Sequence, residues 1–351
     1  MPDGGARAVA LDTFGADRGP EVIVAGARAA AADGIAVRVF GPPRELAGLD
    51  GVEGVELRPA DQGISNDDEP VRAVRSAPEA SVVRAAGDVA EGRSAALVSA
   101  GPTGATMAAA TFALRRLQGV HRPALAVQLP IPARSDRPVV FLDAGASAEA
   151  RAQHLVQFAF LGSAFSRAVL GVESPRVALL TVGEEAGKGR PEVVEAHERL
   201  AAAEGIEFAG NVEGRDVPAG TADVIVTDGF TGNVTLKTME GTAREFGTAV
   251  REAARSGPRA ALGGLLMRSV LGDLRNRLDP DTTGGAILLG LRAVAVVAHG
   301  SSGPDGIANA LRLADRCVRE RAVERTAELL ARSGATRGAL RGAPRRDRTP
   351  V

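Results

Sequence analysis

Short apolar runs that end in Gly, Ser, Thr or Asp alternate along this chain with longer amphipathic stretches. The runs at 7–11 (RAVAL), 35–40 (IAVRVF), 95–99 (AALVS), 138–143 (PVVFLD), 176–182 (RVALLTV), 222–227 (ADVIVT) and 293–298 (AVAVVA) read as strands. Their near-continuous apolar character fits strands buried on both faces of a parallel sheet. Helical periodicity fills the intervals at about 20–32, 79–91, 103–117, 149–170, 190–204, 231–255 and 304–333. The alternation predicts an α/β fold, a doubly wound sheet with helices on both faces. In such sheets ligands bind beyond the carboxyl ends of strands, where Gly-rich turns open into helices.

Two segments depart from this rhythm. Residues 257–278 carry an apolar cluster that reads as exposed (Leu262, Leu265, Leu266, Met267, Val270), and across 251–278 six arginines face only Glu252 and Asp273, a net charge of +4. From about 335 the chain is Gly, Pro and Arg without periodicity, and a disordered basic tail is expected over 335–351.

Composition narrows the function classes. The 351 residues carry 42 basic and 43 acidic side chains, and aromatic residues make up 3% with no Trp or Tyr. Near-zero net charge and the lack of stacking side chains argue against nucleic acid as a partner. Only Lys188 and Lys237 are lysines; the other basic residues are arginines, as a GC-rich coding sequence would give. The lone cysteine, Cys317, excludes an intramolecular disulfide and reads as a packed thiol. The four histidines show no metal-ligand spacing, so no metal is expected. The amino-terminal stretch does not read as a signal peptide, and no run of 18 uncharged apolar residues occurs, so a cytoplasmic protein is expected.

The turns after the strands share a composition. They are Asp12–Asp17, Ser99–Ala105 (with Gly101, Thr103 and Gly104), Asp143–Ser147 (with Gly145), Gly183–Gly189 (with Lys188) and Thr227–Asn233 (with Asp228, Gly229, Thr231 and Gly232). Glycines let backbone approach an anion, and N–H groups at a helix start favour negative charge. Each turn alone also suits plain strand-to-helix geometry; five at one edge of one sheet would make a polar, phosphate-tolerant cleft. No GxxxxGK[ST], no GxGxxG after the first strand and no GxSxG elbow is present, which disfavours nucleotide, nicotinamide and serine-hydrolase chemistry.

The run Asp223 to Thr238 (DVIVTDGFTGNVTLKT) closely resembles the signature of the bacterial acyl-ACP:phosphate acyltransferases (the PlsX family). Residues 68–75 (DEPVRAVR), 210–216 (GNVEGRD), 284–286 (GGA) and 299–302 (HGSS) resemble the same family in the same order, over about residues 7–330. The resemblance implies a three-layer αβα sandwich like the isocitrate and isopropylmalate dehydrogenases, with a protruding helical pair at about 240–282 of a domain spanning 1–334. It implies a homodimer and a reaction without metal or nucleotide cofactor, in which inorganic phosphate attacks the thioester of acyl carrier protein. The acyl phosphate then feeds a glycerol-3-phosphate acyltransferase in phospholipid synthesis. The family docks peripherally on membranes through its protrusion, here Leu262, Leu265, Leu266 and Met267.

Phosphate is itself a nucleophile, so the enzyme has chiefly to hold it against the thioester and stabilise the tetrahedral oxyanion. Lys188, in the Gly-Lys-Gly turn, is the first choice for phosphate or the developing charge, against the reading of a solvated loop lysine. Asn233 can donate its amide to the carbonyl oxygen or simply open a helix. Lys237, one turn on, reads as supporting. Asp12, Asp143 and Asp228 close strands and orient loop N–H groups, with turn capping the simpler reading for Asp143. His299, beside Ser301 and Ser302, is a candidate acid for the leaving thiol or a packed histidine. Ser99, Gly101, Thr103, Gly104, Gly145, Gly183, Gly189, Gly229, Thr231 and Gly232 complete the candidate phosphate turns.

The chain departs from the family at Arg18 (usually His), Pro102 and Ser147 (usually Asn). Pro102 removes a backbone donor inside a candidate phosphate turn. A specialised acyl-CoA or acyl-ACP phosphotransacylase of secondary metabolism and a non-catalytic membrane-associated scaffold therefore stay open beside the acyltransferase.

Overall fold

The computed structural model describes residues 8–131, 134–278 and 280–336. The expected tail of 335–351 falls, from 337 onward, outside the described residues. The first half of the chain supplies strands β1 (Val9–Asp12), β2 (Val37–Gly41), β3 (Val55–Pro59) and β4 (Ala96–Ser99) with helices α1 (Pro20–Ala32), α2 (Pro70–Ser76), α3 (Ser81–Ala90) and α4 (Thr103–Leu114). A hairpin of β5 (Ala124–Ile131) and β6 (Arg134–Leu142) leads through α5 (Ala152–Leu170) into β7 (Arg176–Leu180), α6 (Pro191–Ala201), β8 (Glu207–Val212) and β9 (Val224–Val226). Two long helices, α7 (Gly229–Arg255) and α8 (Pro258–Leu278), precede β10 (Ala286–Leu289), β11 (Val294–Val297), α9 (Pro304–Arg319) and α10 (Ala322–Arg332).

All eleven strands form one sheet in the order β3-β2-β1-β4-β11-β10-β5-β6-β9-β7-β8. The sheet is not parallel throughout. β1, β2, β3, β4 and β11 run together, and β6, β7, β8 and β9 run together. Antiparallel pairs at β11–β10, β10–β5 and β5–β6 lie between the two sets and reverse their direction. The doubly wound parallel expectation therefore holds within each half and fails across them. The β5–β6 hairpin, which local periodicity does not separate from loop, is the element that turns the sheet around.

Alternation along the strands assigns the faces. Val9 and Leu11 join the core under α1, α5, α6 and α9, while Ala10, Leu97, Phe141 and Ile225 join the core under α3 and α4. Leu236 and Met239 pack α7 against that second core, so its first turns lie across the sheet. The sequence pattern did not register β3, β5, β8, β10 or α2. β3 and β8 are edge strands with alternating exposure, and α2 is a single seven-residue segment started by Pro70 and capped by Glu69. The helical stretch at 304–333 splits where Arg321 takes a left-handed φ of 53°. Residues 258–278 form a helix, α8, antiparallel partner to α7, and its Leu262, Leu265, Leu266, Met267 and Val270 are exposed, as is Phe246 on α7.

One buried charge breaks the apolar pattern of β2. Arg38 is buried, with Nη1 donating to both Asp88 oxygens at 2.9 and 2.8 Å and Nε to Glu56 at 2.8 Å. Burial works to raise the Asp88 carboxyl, but hydrogen bonds from Ser94 and Arg93 and the charges of Arg38 and Arg93 outweigh it and hold the pKa below the usual range. Truncation of one partner of a buried pair leaves the other uncompensated. Arg38→Ala is expected to cost ~3–5 kcal/mol in urea unfolding at pH 7, whereas Arg38→Met with Asp88→Leu stays near neutral. A loss below ~1 kcal/mol in the single variant would show that water reaches the site.

Candidate active site

The reversal of strand direction sorts the candidate residues into two groups. The turns after β1, β4 and β11 open at one sheet edge and carry Asp12, Ser99, Gly101, Thr103, Gly104 and His299. Those after β6, β7 and β9 open at the opposite edge and carry Gly145, Gly183, Lys188, Gly189, Asp228 and Gly229. The expected convergence of five turns on one edge is thus corrected. Helix α7 joins the groups instead, starting at Gly229 and reaching His299 with Lys237, about 12 Å further along its axis.

At the first edge the strand ends stand in register, Asp12 beside Ser99 and Ser99 beside Val297. Asp12 is 1% exposed and accepts hydroxyl hydrogen bonds from Ser81 and, at 2.7 Å, from Ser99. Ser99 Oγ also accepts from Gly101 N at 3.1 Å and from Thr106 Oγ1 at 2.8 Å. Ser99 and the Gly101 amide are therefore hydrogen-bonded inside the turn. Thr103, Gly104 and Ala105 open α4, and their amides have no acceptor among the described residues. Pro102 costs this helix nothing: it is the N-cap, and its carbonyl accepts from Thr106 N at 2.9 Å. Ser81 and Thr106 carried no sequence signal, because their partners lie far away along the chain.

At the second edge the start of α7 is pressed against the end of β6. A Cβ on Gly232 would lie 1.8 Å from the Asp143 carbonyl oxygen, so only glycine fits there. The buried Asp143 carboxylate gathers the amides of Leu125, Gly145 and Ala146 at 2.8–3.1 Å, and burial raises its pKa. Turn capping, the simpler reading, describes it. Asp228 caps α7 through Thr231 N at 2.9 Å and Thr231 Oγ1 at 2.8 Å. Gly229 N donates to the Ser147 carbonyl at 2.8 Å, a backbone contact that needs no Asn side chain at 147. The backbone donors of Gly145, Gly229, Thr231 and Gly232 are thus used within the fold.

The Lys188 turn is tied to this edge by a residue that sequence reading passed over. Arg190 pairs with Asp228, the cap of α7. In a chain with so many arginines nothing marked it out. Asn211 Nδ2 donates to the Glu185 carbonyl at 2.8 Å and braces the turn from β8. Gly189 has a φ of 103° and sits against Thr181 Oγ1. Lys188 is exposed, and its Nζ has no hydrogen-bond or ion-pair partner among the described residues. Asn233 is exposed one turn into α7, beside Gly145. Val182, Phe230 and Val234, all on these same elements, are 81%, 66% and 51% exposed. A free ammonium, a free amide and bare apolar side chains together suit an acyl group and an anion.

No group of side chains suited to hold a metal ion occurs among the described residues, and none of their helices is long and apolar enough to cross a membrane. Burial pushes the Cys317 thiol up to about 12, which makes it inert as a nucleophile. A cavity of about 410 Å3 lies over β2 and β3, lined by Arg38, Phe40, Arg58, Arg84 and Asp88 among others, and no candidate site residue lines it.

Residues 7–325 match the family model described as "Fatty acid synthesis protein". A phosphate acyltransferase of Elusimicrobium minutum is 43% identical over 317 residues, covering 88% of this chain and 92% of that protein. Another, of Thermobifida fusca, is 43% identical over 324 residues, 90% of this chain and 89% of that protein. The chain belongs to the phosphate acyltransferase family. It is accordingly an acyltransferase that forms acyl phosphate. Among solved structures, the EutD phosphotransacetylase of Staphylococcus aureus matches with TM-score 0.57 at 18% identity, over 90% of this chain and 95% of that one. A branched-chain phosphotransacylase of Enterococcus faecalis V583 matches with TM-score 0.55 at 15% identity, over 89% and 99%. These two likenesses concern the fold, and they fit an α/β architecture built on one large sheet.

Burial raises the Asp12 carboxyl to about 6, against hydrogen bonds from Ser81, Ser99 and the turn amides that pull it down. The sign follows from linkage: the unfolded carboxyl ionises first, so stability is greatest below pH ~4 and is lost as pH rises to ~6. The unfolding free energy of the wild type relative to Asp12→Asn is expected to fall by ~3 kcal/mol at most between pH 4 and pH 7. Denaturant melts across that range check it; a flat difference would mean that Asp12 is solvated.

Proposed function

We propose that this phosphate acyltransferase takes its acyl group from acyl carrier protein and passes it to inorganic phosphate for phospholipid synthesis, with no metal or organic cofactor. The observation that carries the reading is the Arg190–Asp228 pair, which brings the Lys188 turn to the start of α7, one turn from Asn233. Lys188 holds phosphate, and Asn233 donates to the carbonyl oxygen as it becomes an oxyanion. The exposed Val182, Phe230 and Val234 give the first carbons of the acyl chain an apolar surface. Gly183 and Gly189 let the lysine turn fold tightly. Asp12, Ser99 and Gly101 stiffen the opposite wall.

A fatty acyl phosphate is an amphiphile, so delivery at a membrane surface suits it. The α7–α8 hairpin offers the means. Leu262, Leu265, Leu266 and Met267 are 49–75% exposed, and Arg251, Arg255, Arg259 and Arg268 lie on the same hairpin. An apolar face with basic flanks favours an anionic bilayer surface. The cytoplasmic side of the membrane, a homodimer and a glycerol-3-phosphate acyltransferase as the consumer of the product complete the proposal. The dehydrogenase-like αβα classification belongs with it, supported by two oppositely directed half-sheets covered by helices on both faces.

Hydroxamate trapping with palmitoyl-carrier protein and phosphate tests the reading. Wild type is expected to form acyl phosphate, and Lys188→Ala and Asn233→Ala to lose about 100-fold or more in kcat. Product only from coenzyme A thioesters would reassign the donor, and no product from any thioester would leave the scaffold. For the membrane face, flotation with anionic liposomes is expected to fall at least about 10-fold in the double variant Leu265→Asp/Leu266→Asp. Undiminished flotation would remove the hairpin from the membrane.

A further inference from the structure

Lys237 is exposed on α7 four residues past Asn233, on the same stripe of the helix and about 6 Å along its axis. Its ammonium has three hydrogens to donate. One goes to Glu240 Oε2 at 2.8 Å, and a second faces His299 Nε2 at 3.4 Å, across from the other half of the sheet. His299 Nδ1 accepts from Ser301 N at 3.3 Å and lies 2.8 Å from Ser301 Oγ. The third hydrogen of Lys237 has no partner among the described residues.

We infer that Lys237 is the proton donor to the leaving thiol, with Glu240 and His299 as positioning residues that aim it. This rests on the proposed function above. The order along α7 then follows the reaction coordinate: phosphate at the Lys188 turn, carbonyl oxygen at Asn233, sulfur at Lys237. A phosphate oxygen of HPO4 2− forms the new bond to the carbonyl carbon, and the carbonyl electron pair moves to oxygen. When the tetrahedral species collapses, the C–S bond breaks and its electron pair stays on sulfur, which takes a proton from Lys237 Nζ. The resulting amine regains a proton from solvent, to which the phosphate proton is released. The sum is thioester plus HPO4 2− giving acyl phosphate dianion and thiol.

The test compares leaving groups on the full-length protein. Octanoyl-pantetheine needs help to expel its alkyl thiolate; S-phenyl thiooctanoate, with a far more acidic thiol, does not. Lys237→Met is expected to lose about 100-fold in kcat on the first, the usual size of a general-acid contribution. On the second the loss is expected to stay below about 5-fold, with the KM for phosphate unchanged on both. Lys237→Arg, which keeps the charge, controls for folding. Where wild type accepts only a carrier-bound donor, methylammonium is added to Lys237→Ala, and at least 10-fold recovery of kcat is expected. Equal losses on both thioesters, a raised KM for phosphate or no rescue would overturn the inference. Failure of wild type on every donor would instead overturn the proposed function.

Discussion

The contact between Gly232 and the Asp143 carbonyl fixes the geometry on which the site depends. With no side chain at 232, α7 starts directly against the end of β6, where any Cβ would overlap the carbonyl oxygen. Its cap, Asp228, is in turn held by Arg190 from the Lys188 turn, and Gly229 N reaches the Ser147 carbonyl. The turns after β6 and β7 are thereby clamped to the helix terminus that follows β9. The sheet cannot do this alone, because β10 and β5 reverse its direction and put the two sets of strand ends on opposite edges. Helix α7 links the two edges, from its cap Asp228 to Lys237 beside His299.

That arrangement divides labour among polar groups. Buried carboxylates such as Asp12 and Asp143 turn loop hydrogen-bond donors inward and stiffen the walls, at the electrostatic expense of burial that raises both. Most candidate glycines shape backbone and offer no free amide. Among the described residues, groups left without a partner include the Lys188 and Asn233 side chains, the third donor of Lys237 and the amides of Thr103, Gly104 and Ala105, with the apolar surface of Val182, Phe230 and Val234 beside the first two. A reaction whose nucleophile is already an anion needs little more than such placement.

Much of this was legible in the sequence, and the losses have identifiable causes. Seven strands buried on both faces announced themselves as apolar runs, and the signature around Asp228 and Asn233 marked the start of α7. Strand direction left no local trace: a β5 run broken by Gln128 and Pro130 carries the reversal, so five turns looked like one edge. Ser99 read as a free hydroxyl because its partners, Asp12 and Thr106, are set by register and not by neighbourhood. Arg190 was hidden by the abundance of arginine, while the two rare lysines are both exposed, one in the turn after β7 and one on α7. The departures at Pro102 and Ser147 looked disruptive in sequence, yet both positions work through backbone carbonyls that any residue supplies.

The location of bound phosphate is the most direct measurement. A crystal structure of the protein soaked in phosphate, without acyl donor, is expected to show the anion within ~3.2 Å of Lys188 Nζ, at the start of α7 and within reach of Asn233. Phosphate seated elsewhere, such as among Arg38, Arg58 and Arg84 over β2 and β3, with the Lys188 turn vacant, would contradict the assignment of the reaction to this helix terminus.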